Sequence, residues 1–214
     1  MKKSFLVSMI ITVITGIIAV WFIATTEGQI PIHWNINGEI DGYGSPLTMI
    51  IFPIIALFTT LLMYALPKID PKGENIKASG PLLPIIMVLI AALMLGIQIF
   101  IIAAVNGADI FNMATFIFAI IGILFIVMGY YLPRVKHNYM VGIRTPWTLF
   151  SEDVWVKTHQ VSKYWFMAIG LSFLIGIFLP TPCNFIMPFV VAGVVVVGIV
   201  VYSYVLFARE KKNK

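Results

Sequence analysis

The chain is short of charge and of cysteine. Only 11% of its 214 residues are Asp, Glu, Lys or Arg, against about 25% in a soluble domain. The few charges are clustered, so long stretches carry none. Cys183 is the only cysteine, which excludes an intramolecular disulfide and any cysteine-based metal site built from one chain. Gly-x-Ser-x-Gly, His-Glu-x-x-His and a phosphate-binding glycine loop are also missing, and with them the common signatures of serine hydrolases, zinc proteases and nucleotide sites. No side-chain constellation points to an enzyme, and neither cofactor nor metal is expected.

What fills the chain is hydrocarbon: 60% of the residues are hydrophobic. Six apolar segments stand out, at Ser4–Ala24, Leu47–Leu66, Leu82–Val105, Asn112–Leu132, Tyr164–Leu179 and Asn184–Phe207. None contains Asp, Glu, Lys, Arg or His. About 20 residues at 1.5 Å rise cross the hydrocarbon core of a bilayer. The pattern therefore predicts an all-α, polytopic integral membrane protein with six transmembrane helices, the fifth being the shortest. Met1-Lys2-Lys3 and the run that follows have the look of a signal peptide. That run exceeds a signal h-region of about 7–15 residues and no A-x-A site follows, so the first helix is expected to stay as an anchor.

Basic residues set the orientation. All 14 Lys and Arg fall at the termini or in one alternate set of loops; the opposite loops hold none, but contain Glu27, Glu39, Asp41 and Asp109. Lys and Arg near helix ends resist translocation, so both termini are predicted to be cytoplasmic. The same rule accounts for the net charge of +5 without invoking nucleic acid.

The predicted outer loop, residues 25–46, is rich in turn formers. Asn37-Gly38 and Asp41-Gly42 are tight-turn pairs, and the alternation of Ile30, Ile32 and Trp34 before them suits a short strand or hairpin on the membrane surface. Trp34 and Tyr43 fit the headgroup layer. His33, Asn35, Glu39, Asp41 and Tyr43, with Trp34, are the candidate ligand-facing residues. Three readings compete: a lid whose polar groups bond one another, a recognition surface for an extracellular ligand, and a metal or proton-transfer site, although the spacing matches no closed metal site.

The largest predicted cytoplasmic segment is 133–163. Ser151 before Glu152 and Asp153 marks a helix start, a capping hydroxyl followed by acids at the positive end of the dipole. Thr145-Pro146 predicts extended or turn backbone. Asn138, Tyr139, Arg144, Thr145, Pro146, Trp147, Trp155 and His159 are the candidate residues here. They suit either a re-entry segment lying along the membrane or a docking and signalling surface. Within the apolar runs the most polar side chain is Gln98, expected to bond between helices rather than to hold a substrate. Gly122 and Gly129, seven apart on one helix face, point to close helix packing. Tyr64-Ala65-Leu66-Pro67-Lys68 and Tyr130-Tyr131-Leu132-Pro133-Arg134 echo one another, either as a common way for a helix to leave the membrane or as the trace of a duplicated hairpin.

Two groups of residues carry a family resemblance. Pro31-Ile32-His33-Trp34-Asn35, Gly38, Asp41-Gly42-Tyr43-Gly44-Ser45, Pro53 and Pro67-Lys68-Ile69-Asp70-Pro71 resemble the N-terminal DUF1648 type of membrane domain. Pro133 through Leu149, with Glu152, Val154-Trp155 and Lys157-Thr158-His159, resembles the C-terminal half of the SdpI-type immunity proteins. The resemblance divides the chain into 1–81, a hairpin with its outer loop, and 82–214, a four-helix region with cytoplasmic loop 133–163. It implies a bacterial cell-membrane protein that protects the producing cell from a secreted peptide toxin. It also implies a possible second partner, a cytoplasmic autorepressor sequestered at the membrane when toxin is present. It supplies no catalytic residues. The competing class is a small multi-pass transporter or channel, disfavoured by the absence of intramembrane charge.

Overall fold

The computed structural model describes residues 1–108 and 112–213. The sequence positions Asp109, Ile110 and Phe111, and with them part of the expected Asn106–Phe111 turn, lie outside the described residues. Helix α1 (Lys2–Thr25) leads into two strands, β1 (Ile30–Trp34) and β2 (Ile40–Gly44). A 3-10 turn at Pro46–Ile50 opens α2 (Ile51–Ile69), and the short α3 (Gly73–Ala78) precedes α4 (Leu82–Val105). Helix α5 (Met113–Tyr131) ends in a 3-10 turn at Leu132–Arg134; α6 (Pro146–Phe150), α7 (Glu152–Gly176) and α8 (Cys183–Lys212) follow. Among the described residues, helices dominate, with one small sheet in the 25–46 loop and an irregular stretch at 135–145.

Five stretches are long and apolar enough to cross a membrane: α1, Pro46–Ile69, α4, Met113–Arg134 and α8. The protein is a multi-pass membrane protein. The remaining expected span, Tyr164–Leu179, is the apolar second half of α7 with the turn beyond it. The polar first half of α7 begins at Ser151, whose hydroxyl accepts the Val154 N–H, as the capping signal predicts. Helix α8 has 30 residues, about 45 Å, which exceeds the hydrocarbon thickness of about 30 Å. Its surplus is the basic end that carries Arg209, Lys211 and Lys212. Pro67 does not end α2; it sits inside the last turn, and the helix continues to Ile69. After α5 the chain tightens to a 3-10 turn at the matching proline, so the two echoed exits differ in backbone.

The chain packs as two compact units, Met1–Tyr64 with Leu83–Ile120, and Ala65–Leu82 with Ile121–Lys214. These cut across the division by motif at 81/82, because α2, α4 and α5 each contribute residues to both.

In the first unit, Ala19, Phe22, Ile30, Met49, Phe100, Ile101 and Met113 form the core, with Trp34, Phe52 and Phe116 packed against it. One face of α1 is small and polar. Ser8 and Thr60 share a hydrogen bond of 2.5 Å, Ser8 reaches the Met87 carbonyl at 3.3 Å, and Thr12 and Thr15 donate to the carbonyls one turn back. With no water in hydrocarbon, such hydroxyls must find partners inside the bundle. Gln98 is fully buried, and neither atom of its amide has a protein partner.

In the second unit, α5 and α7 meet backbone to backbone. A Cβ on Gly122 would stand 2.9 Å from the Gly170 carbonyl oxygen, and one on Gly129 would stand 2.7 Å from that of Lys163. Glycine is what permits this approach, as the seven-residue spacing predicts. Phe125 fills the same interface between Phe166 at 5.8 Å and Phe173 at 6.3 Å.

Candidate functional site

The loop hairpin is ordered and anchored. β1 and β2 pair antiparallel, with Ile30 opposite Gly44 and Trp34 opposite Ile40, and with register shifts around His33. Ile30 is fully buried in the core of the first unit, and the Trp34 ring meets Phe100 edge-on at 6.0 Å. Asn35 organises the turn. Its Oδ1 accepts the N–H groups of Asn37 and Glu39 at 2.9 and 3.0 Å, and its Nδ2 donates to Glu39 Oε2 at 2.9 Å. Gly38 closes the turn at φ +83°, where its missing side chain leaves room for the Asn112 amide; only glycine takes that φ without strain.

His33 Nδ1 donates to Asp41 Oδ1 across the strands at 2.5 Å. The backbones approach closely there because position 42 is glycine: a Cβ would stand 2.9 Å from that of His33. His33, Glu39, Asp41 and Tyr43 are all exposed, Trp34 and Asn35 partly so. The hairpin has a root fixed in the core and a tip of exposed polar and aromatic groups. Among the described residues no three His, Cys, Asp or Glu side chains converge.

The second candidate region is built around Asn138, which is fully buried. Its Nδ2 donates to the carbonyls of Lys136 and Val141 at 2.8 and 2.9 Å, and its Oδ1 accepts from Met140 and Val141 at 2.9 and 2.6 Å. All four hydrogen bonds open to an Asn side chain are made. Trp155, also fully buried, donates from Nε1 to the Val135 carbonyl at 2.8 Å and stacks on His159 at 4.2 Å. His159 Nδ1 donates to the Trp155 carbonyl at 2.8 Å, and Nε2 accepts the Ile143 N–H at 3.0 Å. That pattern requires a neutral ring. Burial, above all, lowers the His159 pKa to about 4. Gly142, at φ +117°, lies where a Cβ would press on His159 Nε2 and the Trp155 ring.

Residues 145–151 then run alongside the end of α8. Thr145 caps α6 in a capping box with Thr148 and donates to Ser203 Oγ at 3.2 Å. Trp147 packs on Tyr204 at 5.2 Å, and Phe150 on Phe207 at 5.5 Å. Ser151 donates to Glu210 Oε2 at 2.5 Å.

The structure divides the candidates in this region. Asn138, Thr145, Trp155 and His159 are buried. They form the interior of the segment and are closed to a partner. Tyr139, Arg144 and Pro146 are exposed, and Trp147 is half-buried. Arg144 is held by a hydrogen bond from its guanidinium to the Tyr139 carbonyl at 3.0 Å.

Sequence reasoning missed the residues of 65–82 that complete this region. Asp70, nine-tenths buried, accepts the Lys72 N–H at 2.6 Å and the Tyr139 N–H at 2.9 Å. Lys72 Nζ donates to His137 Nδ1 at 2.6 Å, Asn75 Nδ2 to the His137 carbonyl at 2.7 Å, and the Lys136 N–H to Ser79 Oγ at 2.9 Å. The signal was present in Ile69-Asp70-Pro71, an acid set between an apolar residue and a proline.

Comparisons with known proteins agree with this reading. Residues 10–57 match the domain of unknown function DUF1648, and residues 134–203 match the SdpI/YfhL protein family. The chain is 27% identical over 185 residues to the immunity protein SdpI of Bacillus subtilis (strain 168), covering 82% of this chain and 84% of that protein. No solved structure matches. The first match takes in the hairpin, and the second runs from Arg134 through the buried region around Asn138 into α8. The chain is thus similar to the SdpI/YfhL protein family over residues 134–203, with a DUF1648-like segment ahead of it at residues 10–57.

Proposed function

We propose that this protein is a membrane immunity protein that protects its own cell from a secreted peptide toxin, with six transmembrane helices and both termini in the cytoplasm. The observation that carries this reading is the hairpin. It is anchored by Ile30 and Trp34 and presents His33, Glu39, Asp41 and Tyr43 on the face predicted to be outside, and its chain is similar to a protein named for immunity. A pre-organised surface loses little entropy on binding. The test is expression in a sensitive host challenged with candidate peptide toxins. Survival is expected with the native chain and is lost with Glu39→Gln/Asp41→Asn and with Tyr43→Ala at equal membrane levels. Equal killing with and without the native chain across the toxins tried overturns the reading.

A signalling role belongs to the same proposal, with a cytoplasmic repressor meeting the exposed Tyr139–Arg144 stretch. Arginine and aromatic side chains dominate interface hot spots. Arg144→Ala and Tyr139→Ala are expected to abolish repressor recruitment while toxin resistance persists.

A further inference from the structure

We infer that Arg134 and Lys163, framed by Tyr130, Tyr131 and Tyr164, form a binding site for the phosphodiester of an anionic phospholipid. The Arg134 guanidinium carbon lies 5.1 Å from the ring centres of both Tyr130 and Tyr131. Lys163 Nζ lies 5.9 Å from the Tyr130 ring and 5.5 Å from the Tyr164 ring. Two cations therefore share one aromatic ring. They are brought together because Gly129, one residue before Tyr130, lets α5 approach the Lys163 carbonyl.

Two cations set about one aromatic ring give the site a net positive charge. Among the described residues no carboxylate is ion-paired with either one. The site also lies at the level where the apolar spans end. The membrane-length stretch of α5 closes on Arg134, and Lys163 stands immediately before the apolar half of α7. Tyr130 and Tyr164 are 48% and 67% exposed. Aromatic rings with polar tips belong at the headgroup layer, and Lys and Arg beside them attract anionic lipid. A lipid phosphodiester supplies the missing negative charge, and its acyl chains cover the rings.

The experiment is native mass spectrometry of the full chain released from nanodiscs of mixed phosphatidylcholine and phosphatidylglycerol. Preferential retention of phosphatidylglycerol is expected. Arg134→Gln and Lys163→Gln should each lower that retention about fivefold and together about twentyfold or more. The charge-keeping pair Arg134→Lys/Lys163→Arg should retain most of it, and Lys157→Gln, a cation elsewhere on α7, all of it. If the double variant does not reach the membrane, the two single variants decide. Retention unchanged in both, equal retention of phosphatidylcholine, or equal competition by water-soluble glycerophosphoglycerol overturns the site.

Discussion

A Cβ added to Gly170 would stand 2.5 Å from the carbonyl oxygen of Gly122, so α5 and α7 are held at a distance that no other residue pair permits. Gly170→Leu drives a side chain into the Gly122 backbone and Ile126. Overpacking of this kind costs about 1–3 kcal/mol, and the thermal midpoint of the detergent-solubilised protein should fall. Gly193 on α8 is the control, since a Cβ there meets nothing within 4 Å. Gly193→Ala should leave the midpoint within error or raise it. Equal effects of the two substitutions would contradict the packing described.

Asn138→Ala removes two donors and one doubly used acceptor from a buried site. Each buried polar group left without a partner costs about 1–3 kcal/mol, so a loss of at least about 3 kcal/mol is expected. Limited proteolysis should show new cleavage within residues 133–151. Asn138→Asp should not rescue the loss, because it sets carboxylate oxygens against the carbonyls of Lys136 and Val141. Native-like protease resistance in either variant would show that the residue does not organise the segment.

Stability should depend on pH through His159. Its pKa falls from the ordinary 6.5 in the unfolded chain to about 4 in the fold. Between those values the unfolded state binds more protons, so stability rises with pH across the window. The contribution is fully present above about pH 6.5 and is lost as pH falls towards 4. Protonation puts a hydrogen on Nε2, where the Ile143 N–H needs a lone pair. Thermal melts from pH 4 to 7 should show this slope, and His159→Gln should flatten it. An unchanged slope in the variant would assign it to other groups.

Cys183 offers a test of topology that leaves the native sequence intact. It is exposed, at the start of α8, in the turn predicted to be outside. A membrane-impermeant maleimide should label it in intact cells. With Cys183→Ser and a cysteine introduced at Asn213, labelling should require permeabilisation. The reverse pattern would invert the orientation proposed.

Much of the fold is legible in the sequence because a bilayer makes a simple demand. Every residue of a span must tolerate hydrocarbon, so apolar runs report α1, α2, α4, α5 and α8 directly. The helix start at Ser151 and the hairpin at Asn37-Gly38 are local, decided by a hydroxyl and by glycine. The region around Asn138 is not local. An interfacial Trp and a buried Trp look alike in sequence; Trp155 is buried because the Val135 carbonyl comes round to meet its indole. The motif Ile69-Asp70-Pro71 marks Asp70 but not its partner, since Tyr139 lies 69 residues further on.

The burial of this segment also bears on how relatives should be compared. His137, Asn138, Thr145, Thr148, Trp155, Thr158 and His159, seven residues of the SdpI-like segment, all lie in its interior. Asparagine at 138 is set by stoichiometry: two donors and two acceptor sites on a short stem, a combination found in no other side chain of that length. The buried part of the motif is therefore a record of how the segment folds. The side chains left to meet a partner are the exposed ones, Tyr139, Arg144 and those of the hairpin tip, and a change of partner should be sought there.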